Sequence, residues 1–206
     1  MLFGIVGSSG VGKTTLAKAL AENLGIHYID GSITKLGKEL GYDPVAPLGL
    51  SQRIALQYGL LKAHMDLIEQ APRPAIIDRT PVDMVGYMLC EFDMHSSLIL
   101  SDKELELADQ YVDLCKQAVN ARYDTVFLLS RLPTYEEADT RPKLNPAYQR
   151  HSHLVMTGVF RELNDCVNTV YVNTTNLEER ISAVEDIIVR RLDEIEELKK
   201  SSLHIH

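Results

Sequence analysis

Five short apolar runs punctuate the chain, and between them apolar residues recur every three to four positions. The runs Phe3–Val6, Ile26–Asp30, Ala75–Asp78, Thr125–Ser130 and Thr169–Asn173 predict buried strands. Thr15–Leu24 reads as a helix stopped by Gly25. Ser51–Gln70 carries Ile54, Leu61, Met65 and Ile68 at helical spacing, with Ser51 as its predicted cap. Ser101 and Glu104 form a capping box ahead of the stripe Leu105, Ala108, Val112, Cys115 and Val119. A second box, Thr175 with Glu178, is predicted to open the last helix, whose stripe runs Leu177, Ile181, Val184, Ile188, Ile195 and Leu198. Strands alternating with helices predict a three-layer α/β fold, a parallel sheet with helices on both faces. Ligands on such sheets sit beyond the carboxyl ends of the strands, so the residues just after each strand carry the chemistry.

Length and composition narrow this picture. At 206 residues, 1–206 is read as one domain. No apolar run approaches the ~20 residues needed to span a bilayer, and the first strand starts too early to leave room for a signal peptide. A membrane partner is therefore not expected. Cys90, Cys115 and Cys166 lack metal-ligand spacing and read as small buried residues of a protein in a reducing, cytoplasmic setting. A net charge of −8 argues against nucleic-acid binding by bulk charge. Two loops are rich in proline, Gly41–Gly49 and Arg131–Pro146. The histidines of the final Ser201–His206 belong to no pattern and read as tail.

The chemistry begins at the first strand–helix junction. Gly7-Ser8-Ser9-Gly10-Val11-Gly12-Lys13-Thr14-Thr15 satisfies the phosphate-binding pattern G-x-x-x-x-G-K-[ST], with a strand before it and a helix after it. Glycines let the backbone wrap a phosphate where a Cβ would clash. The loop N–H groups and the helix N-terminus then face the anion. Lys13 is expected to bridge the outer phosphates, and the Thr14 hydroxyl to ligate Mg2+. Asp78, ending the third strand, is expected in the magnesium shell. Arg79 follows it and is expected to grip an anion with its forked donors.

Together these residues resemble the P-loop kinases of nucleosides, nucleotides and related small molecules, with an AAA-like ATP-binding domain as found in phage and nicotinamide riboside kinases. Deoxynucleoside kinases carry an acid-arginine-serine motif after the third strand, and Asp78-Arg79-Thr80 is similar, with threonine for serine. Asp30 stands where that family places the carboxylate that takes the proton from the attacking hydroxyl. Asp83 lies one residue off the family spacing for an acid that helps hold the nucleoside, and Gln57 resembles its base-reading glutamine. The resemblance implies a sheet order of 2-3-1-4-5. It also implies an arginine-bearing lid at Arg131–Pro146, with Arg131 on the nucleotide, Arg141 stabilising the transferring group and Lys143 adding charge, and the helix after the lid adds Arg150. Adenine would pack on Asn173–Asn176.

The implied reaction moves the γ-phosphoryl group of ATP to a nucleoside, a nucleotide or a related hydroxyl. A small metabolite such as nicotinamide riboside, shikimate or a sugar is a second acceptor class, and a hydroxyl of DNA a third. Tyr28-Ile29-Asp30 resembles shikimate kinases, with Ser32 where their second acid stands. A nucleotide-binding regulator or an ATPase without kinase activity is the alternative from another class. A GTPase would need an Asn-Lys-x-Asp motif, which the chain lacks; Asp83-Met84-Val85-Gly86 matches D-x-x-G but falls within a predicted helix. Oligomeric ATPases often set a glutamate beside the strand-end aspartate to activate water, and here that neighbour is Arg79. A homodimer is left open.

Overall fold

The computed structural model describes residues 1–42, 48–94, 101–133, 145–163 and 166–203. The strands are β1 (Leu2–Val6), β2 (His27–Ile29), β3 (Ala75–Asp78), β4 (Thr125–Leu129) and β5 (Asn168–Val172). They form one parallel sheet in the order β2-β3-β1-β4-β5, as the resemblance implied. The helices among the described residues are α1 (Lys13–Leu24), α2 (Ile33–Glu39), α3 (Leu50–Gln70), α4 (Pro81–Met94), α5 (Asp102–Arg122), α6 (Pro146–Glu162) and α7 (Leu177–Leu203).

Alternation along the strands builds the two cores. Leu2, Val6, Ile77, Val126 and Leu128 face α3, α4, α5 and α6. Phe3, Ile5, Ile76, Phe127 and Leu129 face α1 and α7, against Leu16, Leu20, Val184 and Ile188. Burying each such side chain contributes roughly 1.5–3 kcal/mol, so the central strands β1, β3 and β4 anchor the sheet. The site grows from their carboxyl ends.

Several local expectations need correction. Ser51 does not cap α3: the cap is Gly49, whose N–H donates to the Gln52 side chain at 3.1 Å, while the Ser51 hydroxyl donates to Glu104 at 2.8 Å. Asn176, not Thr175, caps α7, its side chain accepting from the Glu179 N–H at 3.1 Å. The Ser101–Glu104 box forms as expected. On α5 the buried face is Ala108, Tyr111, Cys115 and Val119, and Leu105 is exposed. On α7 the ends of the stripe, Leu177 and Leu198, are exposed, and Val184 and Ile188 form its buried middle. Cys90 and Cys115 are buried, but Cys166 is exposed. Among the described residues no helix is long and apolar enough to cross a membrane. Of the segment Arg131–Pro146, residues 134–144, with Arg141 and Lys143, lie outside the described residues. Its far end is set by Asn145, which caps α6 by accepting from the N–H groups of Ala147 and Tyr148.

Candidate nucleotide-binding site

The loop between β1 and α1 needs backbone that side chains resist. Gly10 and Gly12 hold φ of 80° and 89°, a left-handed region that a Cβ disfavours. Gly12 caps α1, so Lys13, Thr14 and Thr15 form the first helical turn and present its unpaired N–H groups. Lys13 is only 6% exposed. Its ammonium donates to the carbonyls of Gly7 and, at 3.1 Å, Ser8, and lies 3.6 Å from Asp83. Burial pushes Lys13 down to about 8; attraction to Asp83 opposes this, and the nearby charge of Arg79 reinforces it. Burial likewise raises the Asp83 carboxyl, against the pull of Lys13 and the N–H groups it accepts from.

The strand ends assemble around this loop. Asp78 closes β3, is buried, and bridges two neighbours. Its Oδ2 accepts from the Thr14 hydroxyl at 2.5 Å, and its Oδ1 from the Gly31 N–H at 2.9 Å. Gly31 permits this approach, since a Cβ there would stand 2.5 Å from the Asp78 carbonyl oxygen. Asp30 precedes Gly31, just past β2, with its side chain 46% exposed. It accepts from the Ser32 N–H at 3.2 Å and lies 3.8 Å from Lys35. Arg79 is the one described non-glycine residue at positive φ, 95°. Its N–H is tied to the Ile5 carbonyl at 3.1 Å. Such backbone costs about 1–3 kcal/mol and clusters at functional sites. Lys13, Thr14, Asp30, Asp78 and Arg79 are thus gathered at one end of the sheet.

Two expectations fare differently. Asp83 was expected to touch substrate, but it is fully buried in the first turn of α4. Its oxygens accept from the Gly7 N–H (3.2 Å), the Thr80 N–H (2.8 Å) and the Thr80 hydroxyl (3.3 Å). It therefore braces the start of the loop rather than facing a ligand. Gln57 is half-buried on α3, accepting from the Tyr111 hydroxyl at 3.4 Å, and makes no described contact with the strand-end group. Arg131 is half-buried just past β4 beside His153, whose imidazole is pushed down by burial and by that guanidinium.

Two residues at the loop carried no sequence signal. Gln149, on α6, donates to the Ser9 carbonyl. Arg180, on α7, is 2% exposed and donates to Val11, Ser130 and Thr174. Thr14 and Asp78 offer hard oxygen donors, which suit Mg2+; that ion is typically held by one or two protein oxygens together with phosphates. Among the described residues no group of three or more His, Cys, Asp or Glu side chains could hold a metal without such a ligand.

A parallel sheet in this order, with a glycine loop feeding a helix N-terminus and an acid ending the adjacent strand, defines a P-loop NTPase domain. The chain belongs to the AAA domain family, whose family model matches residues 2–180. No curated protein matches it. Among solved structures, the fold is similar to deoxyadenosine kinase from M. mycoides with bound dCTP, at 15% identity and a TM-score of 0.62, covering 94% of this chain and 100% of that one. It is also similar to the NadR protein in complex with NAD and AMP-PNP, at 15% identity and a TM-score of 0.57, covering 90% of this chain and 48% of that one.

Proposed function

We propose that the protein transfers the γ-phosphoryl group of ATP to a hydroxyl or phosphate of a nucleoside, a nucleotide or a related small acceptor. The observation that carries this reading is the bridge through Asp78. One of its oxygens holds the Thr14 hydroxyl of the phosphate loop, and the other holds Gly31, the residue next to Asp30. In this reading the bridge holds Gly31, and with it the adjacent, exposed Asp30 carboxylate, on the side of the loop where the acceptor would lie. The same fold in a deoxyadenosine kinase and in a nucleotide-bound NadR supports the reading.

In this mechanism the loop N–H groups and Lys13 bind the phosphates. Thr14 and Asp78 are the residues that would hold Mg2+. When bound, that ion neutralises phosphate charge and orients the transferring group. Asp30 orients the acceptor hydroxyl and takes its proton as the oxygen–phosphorus bond forms and the bond to the ADP oxygen breaks. With a phosphate acceptor no base is needed, and Asp30 then only binds. Arg79 stabilises charge on the transferring group, its strained backbone fixing its position. Arg141 is assigned the same work, with Arg131 on the nucleotide.

The test is a panel of nucleosides, nucleoside monophosphates, small hydroxyl metabolites and DNA, incubated with γ-labelled ATP. Label should move to one acceptor class. Lys13→Ala should reduce transfer ~10²-fold or more, and Asp30→Asn should slow transfer to hydroxyls more than to phosphates. Acceptor-independent phosphate release with no labelled product would replace this reading with an ATPase.

A further inference from the structure

Arg180 is the most heavily engaged buried cation of the described residues, and the proposed mechanism does not use it. It lies in the second turn of α7, and its three donor nitrogens each reach a backbone carbonyl on a different segment. Nη1 donates to Val11 of the phosphate loop at 2.6 Å, Nη2 to Ser130 just past β4 at 2.8 Å, and Nε to Thr174 just past β5 at 2.8 Å. All three acceptors are neutral, and among the described residues no carboxylate pairs with it. Its Nη1 lies 3.7 Å from the point a Cβ on Gly12 would occupy, so the charge sits directly behind the loop.

The sheet order gives this clamp a meaning. β1 is central, with β3 and β2 on one side and β4 and β5 on the other. Asp78, Arg79 and Asp30 follow β3 and β2 and occupy one side of the phosphate loop. The loops clamped by Arg180 follow β4 and β5 and occupy the other. A nucleotide whose phosphates fill the P-loop and whose terminal phosphate faces Asp30 must extend its ribose and base toward this second side. We propose that Arg180 is a positioning residue for the nucleoside half of the bound nucleotide. It fixes the spacing between the phosphate loop and the two loops against which ribose and base rest. The inference rests on nucleotide binding at the P-loop and on the direction of transfer proposed above. A lysine in its place keeps the charge but gathers its three N–H donors on one nitrogen, which cannot reach carbonyls spaced to match three separate nitrogens of a guanidinium.

Calorimetric titration of ATP and of inorganic tripolyphosphate, with Mg2+ and no acceptor, separates this role from a structural one. Arg180→Lys should weaken ATP about tenfold or more, the scale of losing a charge-assisted hydrogen bond. Tripolyphosphate, which has no base, should change by less than about threefold, so the preference for ATP collapses. Unchanged ATP affinity, or an equal loss for both ligands, would overturn the proposal. The wild-type protein gives an independent test if the variant does not fold. In hydrogen exchange, ATP should protect the segments around Ser130 and Thr174 and tripolyphosphate should not; protection of neither by ATP, or of both by tripolyphosphate, refutes it. Because no acceptor is present, failure of the phosphotransfer reading leaves these outcomes intact.

Discussion

Asp83→Asn is the sharpest test of how the phosphate loop is held. The substitution keeps the shape of the side chain and removes its charge. In the wild type one oxygen serves the Gly7 N–H and the Lys13 ammonium, and the other serves the Thr80 N–H and hydroxyl. An asparagine amide has one acceptor, so its NH2 group must face a donor on one side or the other. Leaving a buried ammonium without its partner costs about 3–5 kcal/mol, partly offset because a carboxylate no longer has to be buried. The net is about 3 kcal/mol, or a fall in Tm of roughly 6–12 °C for a domain of this size, read by calorimetry. A second readout follows from Lys13, which burial holds at about 8 although Asp83 pulls it upward. Wild-type ATP affinity should fall above about pH 8 as the ammonium loses its proton. Without Asp83 that limb should move to lower pH. The folded-state value lies below the ordinary 10.5, so the unfolded chain binds more protons between the two. Wild-type stability from this group therefore rises with pH across that window. A variant with a wild-type Tm and an unshifted alkaline limb would show that Asp83 does not hold Lys13.

Two further perturbations probe the scaffold and the acceptor side. His64 and Tyr123 share a buried hydrogen bond at 2.8 Å, and burial pushes His64 down to about 4 from an ordinary 6.5. The unfolded chain therefore binds the extra proton between those values, and stability should fall by about 3 kcal/mol as pH drops through that range. Urea unfolding at pH 7 and near pH 4 measures it; His64→Gln should remove most of the acid slope, and an unchanged slope assigns it elsewhere. Gly31→Ala would place a Cβ 2.5 Å from the Asp78 carbonyl oxygen, forcing the two strand ends apart. It should raise the Mg2+ concentration needed for half-maximal turnover, and an unchanged activation curve would detach Gly31 from the metal-side geometry.

What could be read in advance follows from how local the signal was. Strands covered on both faces are written as short apolar runs, so β1, β3 and β4 were legible nearly to the residue. The phosphate loop was legible because its glycines, lysine and threonine lie within one contiguous stretch. Caps were harder, because several side chains can close the same turn: Ser101 was the obvious choice and correct, whereas Gly49 with Gln52 displaced Ser51, and Asn176 displaced Thr175. Asp83 misled because an acid in the first turn of a helix can face a ligand or the protein, and only the sheet brings Gly7 across to it. Gln149 and Arg180 were not legible, their loop partners lying 140 and 169 residues away along the chain.

These long-range contacts share a logic that explains why the loop is competent to bind an anion. Three side chains from three helices each take one backbone group of the loop: Asp83 takes the Gly7 N–H, Gln149 the Ser9 carbonyl and Arg180 the Val11 carbonyl. The Gly12 carbonyl is consumed by the Leu16 N–H as α1 begins. The carbonyls of Gly7 and Ser8 are taken by Lys13. With the Gly7 N–H and these carbonyls engaged, the N–H groups further along the loop are left to a ligand, and their dipoles add to the N-terminus of α1. Lys13 is the exception among the ties. Its contacts are with neutral carbonyls and one acid that is shared with the Gly7 and Thr80 N–H groups, and a polyphosphate offers several charged oxygens in the same space. The ammonium can therefore exchange carbonyls for phosphate, while Gln149 keeps its hold on the Ser9 carbonyl and with it the shape of the loop.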